Sequence, residues 1–274
     1  MAGFSFHTIL FVPGSRPDRF AKAAQSGADA ICIDLEDAVA AADKDDARAA
    51  AIAALKELDP ARTAIRINDL KTHHGLADLL AIREASVRPS WLFMPMVEDP
   101  YEPLQASVVL NDPEVGLVPL IETVAGLDLA REIASAPTVG ALMFGGGDFS
   151  AQLGVAMDWE PLLAARSRIV MACAAANIAA LDVPFIKVDD GAGLEAETRR
   201  SKALGFAAKA LIHPAQVATV NEVMRPTEAE LDEARSAIEA YEVGGRRAIR
   251  HNGQMLEAPV VARFYRLIEA QGRK

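Results

Sequence analysis

Ala30-Ile31-Cys32-Ile33-Asp34-Leu35, followed at once by Glu36-Asp37 and then by an alanine-rich stretch over 43–58, decides the fold. A short β-branched apolar run ending in acids reads as a buried strand. Apolar residues three to four apart in the stretch that follows read as an amphipathic helix. The same unit recurs along the chain. Apolar runs at 8–12, 30–35, 64–67, 91–94, 116–121, 141–144, 179–183 and 210–212 alternate with helical patterns such as 43–58, 75–88, 123–134 and 160–175. Strand, helix, strand, about eight times over, predicts an α/β fold of the closed parallel (β/α)8 TIM-barrel type. An open doubly wound sheet is the alternative. Its usual Gly-x-Gly-x-x-Gly turn is absent, and Gly145-Gly146-Gly147 has the wrong spacing for a dinucleotide site.

At 274 residues and 51% hydrophobic, the chain can bury one large core, so disorder is excluded as a class. The barrel is expected over 1–226, with a C-terminal helical lid extension over 227–274. Thr227-Glu228-Ala229-Glu230 reads as a helix cap with a charged first turn, opening a helix to about 243. Gly244-Gly245 breaks it, Asn252-Gly253 marks a turn, and a last helix runs from about 259 to 270. A lid or swapped arm and a passive packing helix are both open readings of this appendage.

The net charge of −10 argues against nucleic acid as a partner, and no run of 18 apolar residues offers a membrane span. Residues 244–274 carry seven Lys/Arg against Glu257 and Glu269, leaving −15 on the rest. A basic tail on an acidic body can dock on its own barrel or a neighbour's, or can simply solubilise the terminus. No secretory leader is legible, so a cytoplasmic location is expected. Cys32 and Cys173, far apart in apolar settings, are expected to be buried thiols.

Catalytic groups of a parallel barrel sit where strands end. Those ends here are Val12-Pro13-Gly14-Ser15-Arg16-Pro17-Asp18, Asp34-Leu35-Glu36-Asp37, Arg66-Ile67-Asn68, Glu122-Thr123, Gly147-Asp148 and His213-Pro214. Glu122 and Asp148 follow apolar strands expected to be neighbours. Two hard oxygen ligands without a His or Cys cluster suit Mg²⁺, which keeps waters and leaves sites for substrate. Either acid could instead cap its following helix, although Thr123 and Ser150 are available for that. Arg66 can grip a substrate carboxylate, or form an ion pair with Asp34 or Glu36. Ser15 and Pro17 suit the start of a helix which, flanked by Arg16, Arg19 and Lys22, offers a phosphate site that Asp18 partly offsets. Lys187 and Lys209, near strands 7 and 8, keep a Schiff-base aldolase open as an alternative.

Phe11-Val12-Pro13-Gly14-Ser15-Arg16, Asp34-Leu35-Glu36-Asp37-Ala38-Val39, Arg66-Ile67-Asn68, Pro119-Leu120-Ile121-Glu122-Thr123 and Ile212-His213-Pro214 together resemble the citrate lyase β-subunit-like family of the HpcH/HpaI aldolase superfamily, which includes malyl-CoA and citramalyl-CoA lyases. The resemblance implies a Mg²⁺-dependent carbon–carbon lyase acting on a malyl-CoA- or citramalyl-CoA-like thioester to give an acyl-CoA and a 2-oxo acid. A carrier-dependent citrate lyase β-type subunit and a malyl-CoA thioesterase are the family's alternatives. It implies Glu122 and Asp148 as metal ligands, with Arg66 and Gly147 also contacting substrate. Phe11, Arg16, Lys22, Ile212 and His213 would line the CoA site, and Arg66, Asp37 and Glu257 would carry the chemistry. It further implies a homotrimer or dimer of trimers in which the tail covers a neighbour's active site. Two departures stand out. Gly253-Gln254-Met255-Leu256-Glu257-Ala258-Pro259 has Glu where the family's tail motif has Asp, and Met96 follows Pro95 where a lysine is frequent.

Overall fold

The structure, a computed structural model, describes residues 3–272. Eight parallel strands close a barrel in sequence order. They are β1 (Thr8–Pro13), β2 (Ala30–Asp34), β3 (Thr63–Arg66), β4 (Trp91–Met94), β5 (Gly116–Ile121), β6 (Ala141–Phe144), β7 (Ala179–Asp182) and β8 (Ala208–Leu211). β1 pairs with both β2 and β8, which seals the ring and leaves no open edge.

Strand side chains alternate between two apolar environments, as the two-residue period requires. Ile9, Cys32, Ala64, Trp91, Phe93, Val118, Leu120, Met143 and Leu181 fill the interior. Ile31, Ile33, Ile65, Leu92, Leu117, Leu142 and Leu211 face outward into a second layer, against Ala51, Leu79, Ile133 and Ile169 of the surrounding helices. Both faces are therefore covered, which is why the strands read as nearly unbroken apolar runs rather than alternating ones. Phe4 and Phe6 pack on the interior cluster, and Phe4 meets Trp91 edge-on at 4.9 Å. Gly116 makes room for that indole, because a Cβ there would fall 2.2 Å from the Trp91 ring.

The helices depart from the sequence pattern mainly at their ends. Lys44–Ala54, His73–Glu84 and Trp159–Ala176 occupy three of the expected segments. The fourth divides into Val124–Asp128 and Ala130–Ala134. β8 begins two residues earlier than its apolar run, because Lys209 lies inside it. That lysine faces the helix layer. Its Nζ donates to Asp182 at 3.1 Å, to Glu197 at 2.9 Å and to the Val183 carbonyl at 2.8 Å. Arg166, stacked over Trp159 at 4.6 Å, donates to the other Asp182 oxygen at 2.9 Å, and Ser201 also donates to this carboxylate. A buried charge in a strand is tolerable only with such partners, and hydropathy does not register them.

The chain divides into two compact units between Met224 and Arg225. In the second, Glu228–Val243 is capped by Thr227 and Glu230 reciprocally. β9 (Ile249–His251) and β10 (Gln254–Leu256) form a hairpin turning on Asn252 and Gly253, with φ of 46° and 80°. Both positive angles fit the Asn-Gly turn of a tight hairpin. Helix Ala258–Gly272 and helix Glu228–Val243 share a small core of Ala234, Ala237, Tyr241, Leu256, Val261 and Phe264. Arg273 and Lys274 of the basic tail lie outside the described residues. Among the described residues no helix is long and apolar enough to cross a membrane. Cys32 and Cys173 are buried free thiols, and burial raises both above the ordinary thiol range, Cys173 to about 12.

Candidate active site

A cavity of about 450 Å³ opens at the C-terminal ends of the strands. Continuing each strand's inward register by one or two residues builds its wall: Pro13 from β1, Asp34 from β2 and Arg66 from β3, then Glu122, Gly145, Val183 and Ile212 beyond β5, β6, β7 and β8. Asp37, Gly147 and Asp148 join from the loops. Four carboxylates, Asp34, Asp37, Glu122 and Asp148, thus share the lining with Arg66, the only basic side chain there among the described residues. The floor is apolar, from Phe11, Leu120 and Met143.

Arg66 is held in a fork. Nε and Nη2 donate to the two Asp34 oxygens at 2.7 and 2.6 Å, and the guanidinium lies 5.4 Å over the Phe11 ring. Nη1 is 2.8 Å from Glu36 Oε2 without hydrogen-bond alignment, and 3.8 Å from Asp37. The ion pair with Asp34 and Glu36, one of the two readings of Arg66, is therefore present. It leaves the Nη1 donors without an aligned acceptor among the described residues. Burial works against the Arg66 charge, but the hydrogen bond and charge of Asp34, with Glu36 and Asp37, more than offset it and raise its pKa.

Glu122 is buried, and its Oε2 accepts the Met96 amide at 2.8 Å. Gly145 is its necessary neighbour: a Cβ there would lie 2.1 Å from Glu122 Cγ. Burial first, then the charges of Asp148 and Asp37, push Glu122 up to about 7 against the Met96 amide and Arg66. Burial likewise pushes Glu36 up to about 8. Acids crowded around one arginine, two of them driven towards their neutral forms, form a donor set with a deficit of positive charge. Hard oxygens in that condition fit a cation such as Mg²⁺. Among the described residues no group of three or more His, Cys, Asp or Glu side chains is arranged to hold a metal. Glu122 and Asp148 both line the cavity, and two carboxylates could hold such an ion while leaving coordination positions to water and substrate.

Neither acid caps a helix by its side chain. Thr123 accepts the Gly126 amide at 3.1 Å and so starts Val124–Asp128. Asp148 lies in the first turn of Gly146–Leu153, where the helix dipole favours an anion. Ser150 is no cap; its hydroxyl donates to the Gly147 carbonyl at 2.8 Å.

A second cavity of about 340 Å³ shares Phe11, Val12, Pro13 and Ile212 with the first. It adds Arg19, Lys22, His213 and Pro214. Lys22 and His213 are thus brought together, whereas Arg16 lines neither cavity and pairs with Asp18 at 2.7 Å. The expected helix there is a short turn, Pro17–Arg19, continued by Phe20–Ala24, and Ser15 does not cap it. His213 Nδ1 accepts the Ala215 amide at 3.2 Å, which leaves Nε2 as its donor. Asn68 turns away from the mouth, bonded to Asp78 and Lys44. Among the described residues no lysine lines the first cavity, and Lys209 is bound in the outer layer. Glu257 is exposed at the start of helix Ala258–Gly272 in the C-terminal unit.

A parallel barrel with an acidic, arginine-centred pocket at the C-terminal ends of its strands has the architecture of a TIM-barrel enzyme, with the pocket where such enzymes carry their active sites. The chain belongs to the HpcH/HpaI aldolase/citrate lyase family, whose model matches residues 7–214. It is 31% identical to the mitochondrial citramalyl-CoA lyase of Homo sapiens, over 92% of this chain and 82% of that one. It is 35% identical to the L-malyl-CoA/β-methylmalyl-CoA lyase of Cereibacter sphaeroides, over 95% of each. The structure of CitE from Mycobacterium tuberculosis in complex with magnesium, acetoacetate and coenzyme A superposes with a TM-score of 0.84, at 32% identity and covering 98% of both chains.

Proposed function

We propose that the protein is a Mg²⁺-dependent lyase that cleaves a malyl-CoA- or citramalyl-CoA-like 3-hydroxyacyl-CoA into an acyl-CoA and a 2-oxo acid. The observation that carries this is the cavity lined by Glu122, Asp148 and Arg66, beside a second cavity bearing Arg19 and Lys22. The first has room for a hydroxy-carboxylate, whose negative charge Arg66 and a bound Mg²⁺ would balance together. The second offers cations and an apolar wall to a nucleotide-bearing tail.

Glu122 and Asp148 would hold Mg²⁺, which when bound would polarise the hydroxyl oxygen that becomes the 2-oxo group of the product. Arg66 offers its Nη1 donors to the substrate carboxylate while Asp34 fixes the plane of the guanidinium. Gly147, without a Cβ, leaves the rim open for the substrate. Asp37, exposed at the cavity edge, accepts the hydroxyl proton as the carbon–carbon bond breaks. The bonding electrons pass to the thioester as an enolate, and a proton from Glu257 returns to its carbon. Phe11, Ile212 and His213 border the thioester arm, with Lys22 towards the phosphates. Glu257 arrives, in this reading, from the C-terminal unit of a neighbouring subunit in a homotrimer or dimer of trimers. The −15 charge of residues 1–243 and the basic excess of the tail support that docking.

The test is cleavage of malyl-, methylmalyl- and citramalyl-CoA by the purified chain, with the products identified. Glu122→Ala and Asp148→Ala are each expected to abolish turnover, and EDTA to stop the wild type until Mg²⁺ is restored. Full activity in EDTA would end the metal assignment.

A further inference from the structure

We infer that Lys71 is a positioning residue for Glu122, acting through the Met96 peptide; the inference rests on the reading of Glu122 as a metal ligand. Lys71 lines neither cavity. It lies in the loop after β3, and its Nζ donates to the Met96 carbonyl at 2.6 Å. Its ammonium is also 3.5 Å from Glu102, 3.7 Å from Asp69 and 4.0 Å from Glu98. Acids from the segments after β3 and β4 thus keep it over that carbonyl.

Met96 holds φ at 54°, in the left-handed region that side chains other than glycine rarely enter. Two contacts hold this residue's peptide groups. Lys71 grips its carbonyl, and its amide donates to Glu122 Oε2 at 2.8 Å. On the Gly145 side Glu122 meets backbone without a Cβ, so the Met96 amide is the polar contact that sets the carboxylate's direction. Without Lys71 the backbone at Met96 is free to relax towards negative φ, and the amide swings away from Glu122. Removing a group that orients a metal's ligand typically costs about 10–100-fold in metal affinity.

The sign of the effect separates position from charge. Deleting a cation near an acidic site increases that site's attraction for Mg²⁺, so a Lys71 acting only by its charge predicts tighter binding in Lys71→Ala. A positioning role predicts weaker binding. Two measurements on the full chain decide it: hydrogen exchange of the Met96 and Val97 amides without metal, and calorimetric titration with MgCl₂ alone.

Lys71→Ala is expected to speed exchange at Met96 and to weaken Mg²⁺ binding roughly ten-fold. Lys71→Ala combined with Met96→Gly recovers most of that loss, because glycine takes the left-handed conformation without strain. Unchanged exchange in Lys71→Ala, or unchanged or tighter Mg²⁺ binding, overturns the proposal. A wild-type chain that takes up no Mg²⁺ ends the metal assignment, and the proposal with it. Faster exchange in Lys71→Ala would then show that the lysine holds the turn without serving a metal site.

Discussion

Glu122 and Gly145 act as one unit at the residue scale. The carboxylate of the first occupies the space that a side chain on the second would take, with 2.1 Å between the Gly145 Cβ position and Glu122 Cγ. Gly145→Ala is therefore expected to displace Glu122, to cost about 1–3 kcal/mol in stability as an overpacked site, and to lose most of the Mg²⁺ affinity. Thermal unfolding and calorimetry check the two effects separately. A variant with normal metal binding would mean that Glu122 has another seat. Nothing in the local sequence shows this pairing: Gly145-Gly146-Gly147 reads only as a glycine run mis-spaced for a dinucleotide site, and Glu122 lies 23 positions before Gly145. The strand-end acids and Arg66 were legible because a parallel strand delivers its C-terminal residue to the barrel mouth. The Met96 amide was not, because backbone donors leave no trace in residue types.

The helix–strand layer behind β7 and β8 carries the clearest pH dependence at the scale of elements. Asp182 is fully buried, and although burial alone would raise it, Lys209 and Arg166 hold its carboxyl below the ordinary value of 3.8. A carboxylate lowered on folding contributes stability above its unfolded pKa and loses it as pH falls through the folded one. The unfolding temperature is accordingly expected to drop below about pH 4 partly through Asp182. Asp182→Asn is expected to cost about 3–5 kcal/mol near neutral pH, by leaving Lys209 and Arg166 short of a counter-charge. It also reduces the acid-limb slope, as scans across pH would record. An unaltered slope would place the acid sensitivity elsewhere. This cluster explains why the apolar run covers only part of β8: a lysine inside a strand breaks such a run, and its three partners come from the end of β7, the residue just after it and the helix Gly191–Leu204.

For the whole molecule, charge is the property with a measurable consequence. The chain carries −10 overall with its basic excess at the C-terminal end. Association through that end is expected to yield a trimer or hexamer by light scattering at micromolar concentration in low salt, and to weaken as salt screens the attraction. A monomer under those conditions would remove the neighbour's Glu257 from the proposed chemistry. Hydrophobic periodicity in the sequence determined the eight-strand repeat, and residue types determined the capped helix after Thr227 and the Asn252-Gly253 turn, since each depends on residues close together in the chain. Only the tertiary structure decided that Asp34 occupies the fork of Arg66, that Asn68 and Lys209 face away from the cavity, and that Arg16 stays outside it. Those outcomes depend on which side chains meet across neighbouring strands and layers, and closure of the barrel sets those distances rather than separation along the chain.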